Sequence, residues 1–158
     1  EFNSAGLLVL IVLMFIGASP GSTGGGIKTS TFFVLLQGIK SAATNRGEKA
    51  FRYSIPSGAF RKAAVITLIA VSVVLTGTWL LLVFEPQLRL VDALFEITSA
   101  FGTVGLSTGI TTTLGVPAKL VSILTMYIGR LGPLTIASVW YFDKGERVSY
   151  PEGNIAIG

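Results

Sequence analysis

The groups in this chain best placed to do chemistry are backbone carbonyls rather than side-chain nucleophiles. Thr103-Val104-Gly105, followed by Leu106 and Ser107, stands after a short apolar stretch. Potassium-selective pores use this arrangement to present stacked carbonyls to a dehydrated cation. Gly105 decides the geometry, because a run of carbonyls faces one axis only where some residue takes dihedrals closed to side chains bearing a Cβ. The expected filter is Thr103, Val104, Gly105, Leu106 and Ser107, with potassium held at the carbonyls of Thr103, Val104 and Gly105. A short helix before it would aim the partial negative charge of its carboxyl end at a waiting cation.

Two further clusters bear on the same path. Arg130 lies within a long apolar run, and an arginine at the bilayer centre costs at least about 2.5 kcal/mol on insertion scales. No full-length apolar run carries an acid to pair with it. Intramembrane charges usually face a cavity, so Arg130 reads as a fixed positive charge that raises the barrier for cations, the alternative being that it satisfies carbonyls of a neighbouring helix. Gly129, Gly132 and Pro133 around it allow close packing and a kink. The other cluster is a polar break between two apolar runs, made of Gly17, Ser19, Pro20, Gly21, Ser22, Thr23, Gly24, Gly25, Gly26 and Lys28 and continuing through Thr29 and Ser30. Non-helical backbone at bilayer depth survives only where it is buried in protein or lines a water-filled cavity. The break therefore points at a transport pathway.

Other chemistries are poorly supported. The chain has no Cys and no His, which removes thiolate and imidazole metal sites, His-based triads and disulfides. Gly21 to Lys28 comes close to a phosphate-binding loop, but Ile27 stands between Gly26 and Lys28, giving G-x-x-x-x-G-x-K-T, and the motif lacks a preceding strand. The broken spacing and missing strand argue against nucleotide hydrolysis, so an enzyme is not expected. The net charge of +4 resides mostly in one loop, where Lys40, Arg46, Lys49, Arg52, Arg61 and Lys62 face a single acid, Glu48. That is a cytoplasmic topology signal, and Phe51, Tyr53 and Phe60 are too few for a base-stacking platform, so nucleic acid is not an expected partner.

Stepping from these residues to the elements that hold them, the 158 residues are 51% hydrophobic and only 13% charged, with a mean hydropathy of +0.72. Soluble domains carry roughly 25% charge, so the chain reads as an all-α integral membrane protein lying in the lipid bilayer. Ala5 to Ile16 is too short to span, a crossing needing about 20 helical residues. Thr31 to Ile39 completes it, giving one broken transmembrane helix over residues 1–42 with an intramembrane loop at 17–30. A basic cytoplasmic linker follows at 43–62. Residues 63–142 form a helix, pore loop, helix repeat: Ala63 to Phe84 spans, with Trp79 near its outer end. Leu90 to Phe101 has re-entrant length, and Ala118 to Phe142 spans and ends on the belt Trp140, Tyr141 and Phe142. Residues 143–158 are a cytoplasmic tail. The charge bias sends the broken helix inward and the next span outward, opens the re-entrant segment to the outside, and returns the C-terminus to the cytoplasm.

The runs IGASPGSTGGGIKTSTF (Ile16 to Phe32), TSAFGTVGLSTGIT (Thr98 to Thr111) and YIGRLGPLT (Tyr127 to Thr135) together resemble the Ktr/Trk/HKT superfamily of potassium transporters, and within it the KtrB membrane subunits of bacterial Ktr systems. In that family one polypeptide holds four helix, pore loop, helix repeats around a pseudo-fourfold axis. The resemblance implies that Ala5 to Ile39 is the second helix of the third repeat and Ala63 to Phe142 the fourth repeat, so that the chain is the C-terminal portion of the family protein. It assigns the filter glycine to Gly105, the pore arginine to Arg130 and the gating loop to Gly17 to Ser30. It further implies potassium uptake with sodium dependence left open, a homodimer in a bacterial cell membrane, and a cytoplasmic KtrA-like ring that carries the adenine nucleotide, no nucleotide or other cofactor being expected on this chain. The rival reading is a homotetrameric potassium channel subunit of the span, pore loop, span kind. Against it stand the extra broken helix and Ser107, where the channel signature TVGYG has its second glycine.

Overall fold

The computed structural model describes residues 3–44, 49–50, 53–54 and 58–132. These form five α-helices: α1 (Ser4–Phe15), α2 (Thr29–Thr44), α3 (Ala59–Phe84), α4 (Leu90–Gly102) and α5 (Val116–Leu131), with a 3-10 turn at Ile110–Thr112. The fold is all-α apart from a minimal antiparallel hairpin, β1 (Lys49–Ala50) and β2 (Tyr53–Ser54), between α2 and α3.

Length sorts the helices by what they can do in a bilayer. With 26 residues, α3 is roughly 39 Å long at 1.5 Å per residue, enough to cross the hydrocarbon core. At 12 and 13 residues, α1 and α4 reach only about 20 Å. Of these, α4 is the centre of the structure, because α1, α3 and α5 all pack on it. Every residue from Phe95 to Gly102 is buried, and Ile97 and Phe101 of α4 join Ala70, Val74 and Leu81 of α3 and Ala118 and Val121 of α5 in one core. Leu7 and Met14 of α1 meet Phe95 on another side of α4. Lipid is as apolar as these side chains, so helices associate there through close packing and hydrogen bonds rather than exclusion from water. Gly77 of α3, set against Ile97 and Thr125, is one such close approach.

Two boundaries differ from the sequence expectation. The basic linker is shorter than residues 43–62, because α2 runs to Thr44 and α3 starts at Ala59, where Gly58 takes φ 90° ahead of the first turn. Arg61 and Lys62 thus belong to the helix, where long stems can reach the interface. At the other end α5 stops at Leu131 with Gly132 at φ 84°, a helix-ending conformation open to glycine. Arg130 therefore sits in the last turn of α5, not at the middle of a helix running from Ala118 to Phe142. Pro133, the aromatic belt Trp140, Tyr141 and Phe142, and the tail lie outside the described residues, as do Arg46, Glu48, Phe51 and Arg52 of the linker.

Outside the helical layer, Glu85 joins α3 to α5. Its Oε1 accepts from the backbone N–H of Gly115 at 2.7 Å, so a carboxylate from the end of α3 satisfies the start of α5.

Candidate functional site

α4 ends in a tight cap that starts the loop. Thr103 adopts φ 52°, ψ 41°, its N–H donates to the Ala100 carbonyl at 3.0 Å, and the Val104 N–H donates to the Ser99 carbonyl at 3.0 Å. This is the Schellman pattern, in which a left-handed residue turns the chain sharply off a helix. That position normally takes glycine; here a β-branched threonine holds it, a strained conformation that persists only where the surroundings enforce it.

The surroundings do so through contacts to distant chain segments. The backbone N–H of Gly25 donates to Thr103 Oγ1 at 2.9 Å, and that of Gly26 to the Phe101 carbonyl at 3.2 Å. The rings of Phe15 and Phe101 stack with centroids 5.9 Å apart. From the other side a Cβ on Gly129 would overlap the same Phe101 carbonyl, and one on Gly25 would come within 2.6 Å of it. Phe101 to Thr103 is thus a junction where α1, the polar break and α5 all meet the carboxyl end of α4. Glycines let backbone approach backbone where a side chain would not fit.

Beyond the cap, Val104, Gly105, Leu106, Ser107 and Thr108 are non-helical and exposed. Gly105 has φ 83° and open space around its Cα, so a side chain there is opposed by backbone strain rather than by crowding. No backbone-to-backbone hydrogen bond involves residues 105–108 among the described residues. Their carbonyls are free to meet a ligand.

The polar break has a different character. It occupies residues 16–28 rather than 17–30, since Thr29 and Ser30 already open α2, whose first turn begins with Phe32 N–H donating to the Lys28 carbonyl at 3.1 Å. A parallel bridge pairs Ile16 with Ile27, closed by Gly17 N–H to the Ile27 carbonyl at 2.8 Å and Ile27 N–H to the Phe15 carbonyl at 3.1 Å. Parallel pairing means that the chain enters and leaves the excursion travelling the same way, as one interrupted helix would. Ile27, which interrupts the phosphate-loop spacing, is 2% exposed and is the loop's apolar anchor in the core. Gly25 and Gly26 are buried beside it, whereas Ser19, Pro20, Gly21, Ser22 and Thr23 form an exposed tip. Lys28 stitches tip to base, its Nζ donating to the Ser22 carbonyl at 3.1 Å and the Gly24 carbonyl at 2.8 Å. Gly24 N–H adds a bond to Ser22 Oγ at 3.3 Å.

Arg130 is exposed, one residue from the Gly129 contact with Phe101. Among the described residues no ion pair engages it, the single pair being Arg89 with Asp92 at 3.2 Å. An acid does exist in the core, at a position that the lengths of the apolar runs do not single out: Glu96 of α4 is 7% exposed. It does not serve Arg130. Its Oε2 accepts from Ser107 Oγ at 2.9 Å and its Oε1 from Thr111 Oγ1. An acid inside a half-length apolar helix was the available signal, because ionisable residues at membrane depth mark function by default.

The profile of the cation transport protein family TrkH matches residues 1–142. The chain belongs to that family. It is similar to the Ktr system potassium uptake protein D of Bacillus subtilis, 38% identical over 162 residues that cover 100% of this chain and 35% of that protein. It is likewise similar to the Ktr system potassium uptake protein B of Vibrio alginolyticus, 35% identical over 159 residues, 100% of this chain and 35% of that protein. The potassium/sodium uptake protein NtpJ of Enterococcus hirae is 36% identical over 168 residues, 100% and 37% of the two chains. The chain spans about a third of the length of these relatives. The TrkH family is one of cation transport proteins in membranes, and the all-α architecture described above accords with membership in it.

Proposed function

We propose that this chain contributes one pore repeat and a gate to a potassium-translocating membrane protein. The carbonyls of Thr103, Val104 and Gly105, continued by Leu106 and Ser107, are its selectivity filter. The observation that carries this reading is the exposed run 104–108 suspended from the carboxyl end of a half-length helix, with Gly105 at φ 83° and no backbone hydrogen bond at 105–108 among the described residues. A helix carboxyl end stabilises a cation near it, and unpaired carbonyls replace its hydration shell.

The polar break is the gate beneath that filter, and Arg130 is the barrier beside it. In support, the break bonds to Thr103 and Phe101, and Arg130 follows the glycine that touches the same carbonyl. One repeat cannot close a pore, so the remaining repeats of the same transporter are its first partners. A second copy of the transporter and a cytoplasmic nucleotide-binding ring are its further partners in this reading, with the linker between α2 and α3 and the C-terminal tail as docking segments; in support, the relatives named for the Ktr system point to an assembly of more than one component. Potassium is the transported ion, and the relative of E. hirae named as a potassium/sodium uptake protein makes sodium the second ion to test.

The experiment is ion uptake by the full-length transporter in vesicles. Arg130→Ala is expected to speed cation flux, and unchanged rate and apparent affinity would end the barrier role. Gly105→Ser is expected to weaken preference for potassium over sodium, and unaltered preference would move the filter elsewhere.

A further inference from the structure

A run of carbonyls with no backbone ladder must be held by something else, and two anchors are visible. The first is the cap at Thr103 and Val104, described above. The second is Glu96, at the middle of α4 and buried, with both carboxylate oxygens taken by hydroxyls at and just beyond the far end of the run. Ser107 Oγ and Thr111 Oγ1 also touch each other at 2.8 Å, and Gly109 N–H donates to Ser107 Oγ at 3.0 Å. Glu96, Ser107 and Thr111 therefore form a closed cluster at the far end of residues 104–106, which hang between it and the cap.

We infer that Glu96 is a positioning residue for ion selection: through Ser107 and Thr111 it fixes the span and direction of the Gly105 carbonyl region. The inference rests on the filter reading. It does not require Glu96 to touch the ion, since both its oxygens are engaged. Room for the loop to relax exists behind it, in a cavity of about 320 Å³ lined by Glu96, Ser99, Thr103, Ser107, Ser122 and Met126 among others. Without the tether the run has space to leave the geometry that distinguishes one cation from another. Hydrogen bonds to a charged group are among the stronger ones in proteins and costly to leave half-made when buried.

The test uses the full-length transporter in vesicles, with rubidium uptake under sodium competition as the readout and the membrane-inserted amount measured for each variant. Glu96→Ala and the double variant Ser107→Ala with Thr111→Val are each expected to lower discrimination about tenfold, the factor given by loss of one strong hydrogen bond. Combining all three changes is expected to do no more than Glu96→Ala alone. Glu96→Gln is expected to keep most of the discrimination, because its amide accepts from one hydroxyl and donates to the other. Should Glu96→Ala fail to insert, the double variant decides, since Ser107 and Thr111 are exposed. Wild-type discrimination in the double variant, with loss in both Glu96 variants, would mean that charge rather than tethering matters and would overturn the inference. Gly105→Ser separates the two levels: if it loses discrimination while the double variant does not, the tether falls and the filter stands, and if Gly105→Ser loses none, both fall.

Discussion

Two glycine-rich, non-helical segments lie side by side in this molecule, and they handle their backbone polar groups in opposite ways. Residues 16–28 turn inward: a parallel bridge, a stitched lysine and a buried isoleucine use up much of their hydrogen-bonding capacity within the loop and against α4. Residues 105–108 turn outward, with no backbone partner among the described residues and with anchors only at the two sides, the cap at Thr103 and Val104 and the Ser107 hydroxyl. Glycine content alone does not distinguish a segment that closes from one that presents. The distinction lies in what satisfies the peptide groups, a question that membrane depth makes unavoidable.

That contrast can be broken most severely at the junction both segments share. Gly129→Val would drive a side chain into the Phe101 carbonyl. Forced overpacking of this kind costs about 1–3 kcal/mol or more, so the expected result is a clear fall in the thermal midpoint of the detergent-solubilised full-length protein together with low uptake. An unchanged midpoint would mean that α5 does not approach α4 there. Next in size, Gly25→Ala would set a Cβ 2.6 Å from the same carbonyl on the loop side and is expected to dislodge the loop, changing uptake rate severalfold without altering which ion is preferred. A parallel loss of preference would show that loop and filter are one unit rather than two.

A smaller effect is expected from Thr103→Val, which keeps the branched shape but removes the acceptor for the Gly25 N–H, at a cost of about 0.5–1.5 kcal/mol. Uptake rate should rise, and Thr103→Ser should behave as wild type; identical behaviour of the Val and Ser variants would show that this bond does not restrain the loop. Smallest of all, Lys28→Met removes two bonds to the Ser22 and Gly24 carbonyls at the partly solvated tip. Faster proteolytic nicking near Pro20 to Thr23 is the expected sign, with little change in flux, and equal nicking rates would assign the tip's order to other contacts.

Much of the fold was legible because its signals are local. The lengths of the apolar runs separated α3 from α1 and α4, and a glycine two residues past a threonine foretold the left-handed turn at Gly105. The end of α5 was less legible, since apolar residues continue to Phe142 and hydropathy cannot see that Gly132 leaves the helix. Glu96 was hidden for the opposite reason: one acid barely changes the average of the run that contains it. Nothing in the sequence announced the bond from Gly25 to Thr103, because it joins residues 78 positions apart through a backbone N–H that any residue but proline would offer. The sequence showed two unusual segments, and only their placement in space showed that they touch.

The most direct measurement is anomalous scattering from rubidium bound to the full-length transporter, compared between wild type and Gly105→Ser. The expected result is a rubidium peak against the carbonyls of Thr103, Val104 and Gly105 that weakens or shifts in the variant. A peak elsewhere in the pore, unchanged by the substitution, would contradict the assignment of ion selection to this run.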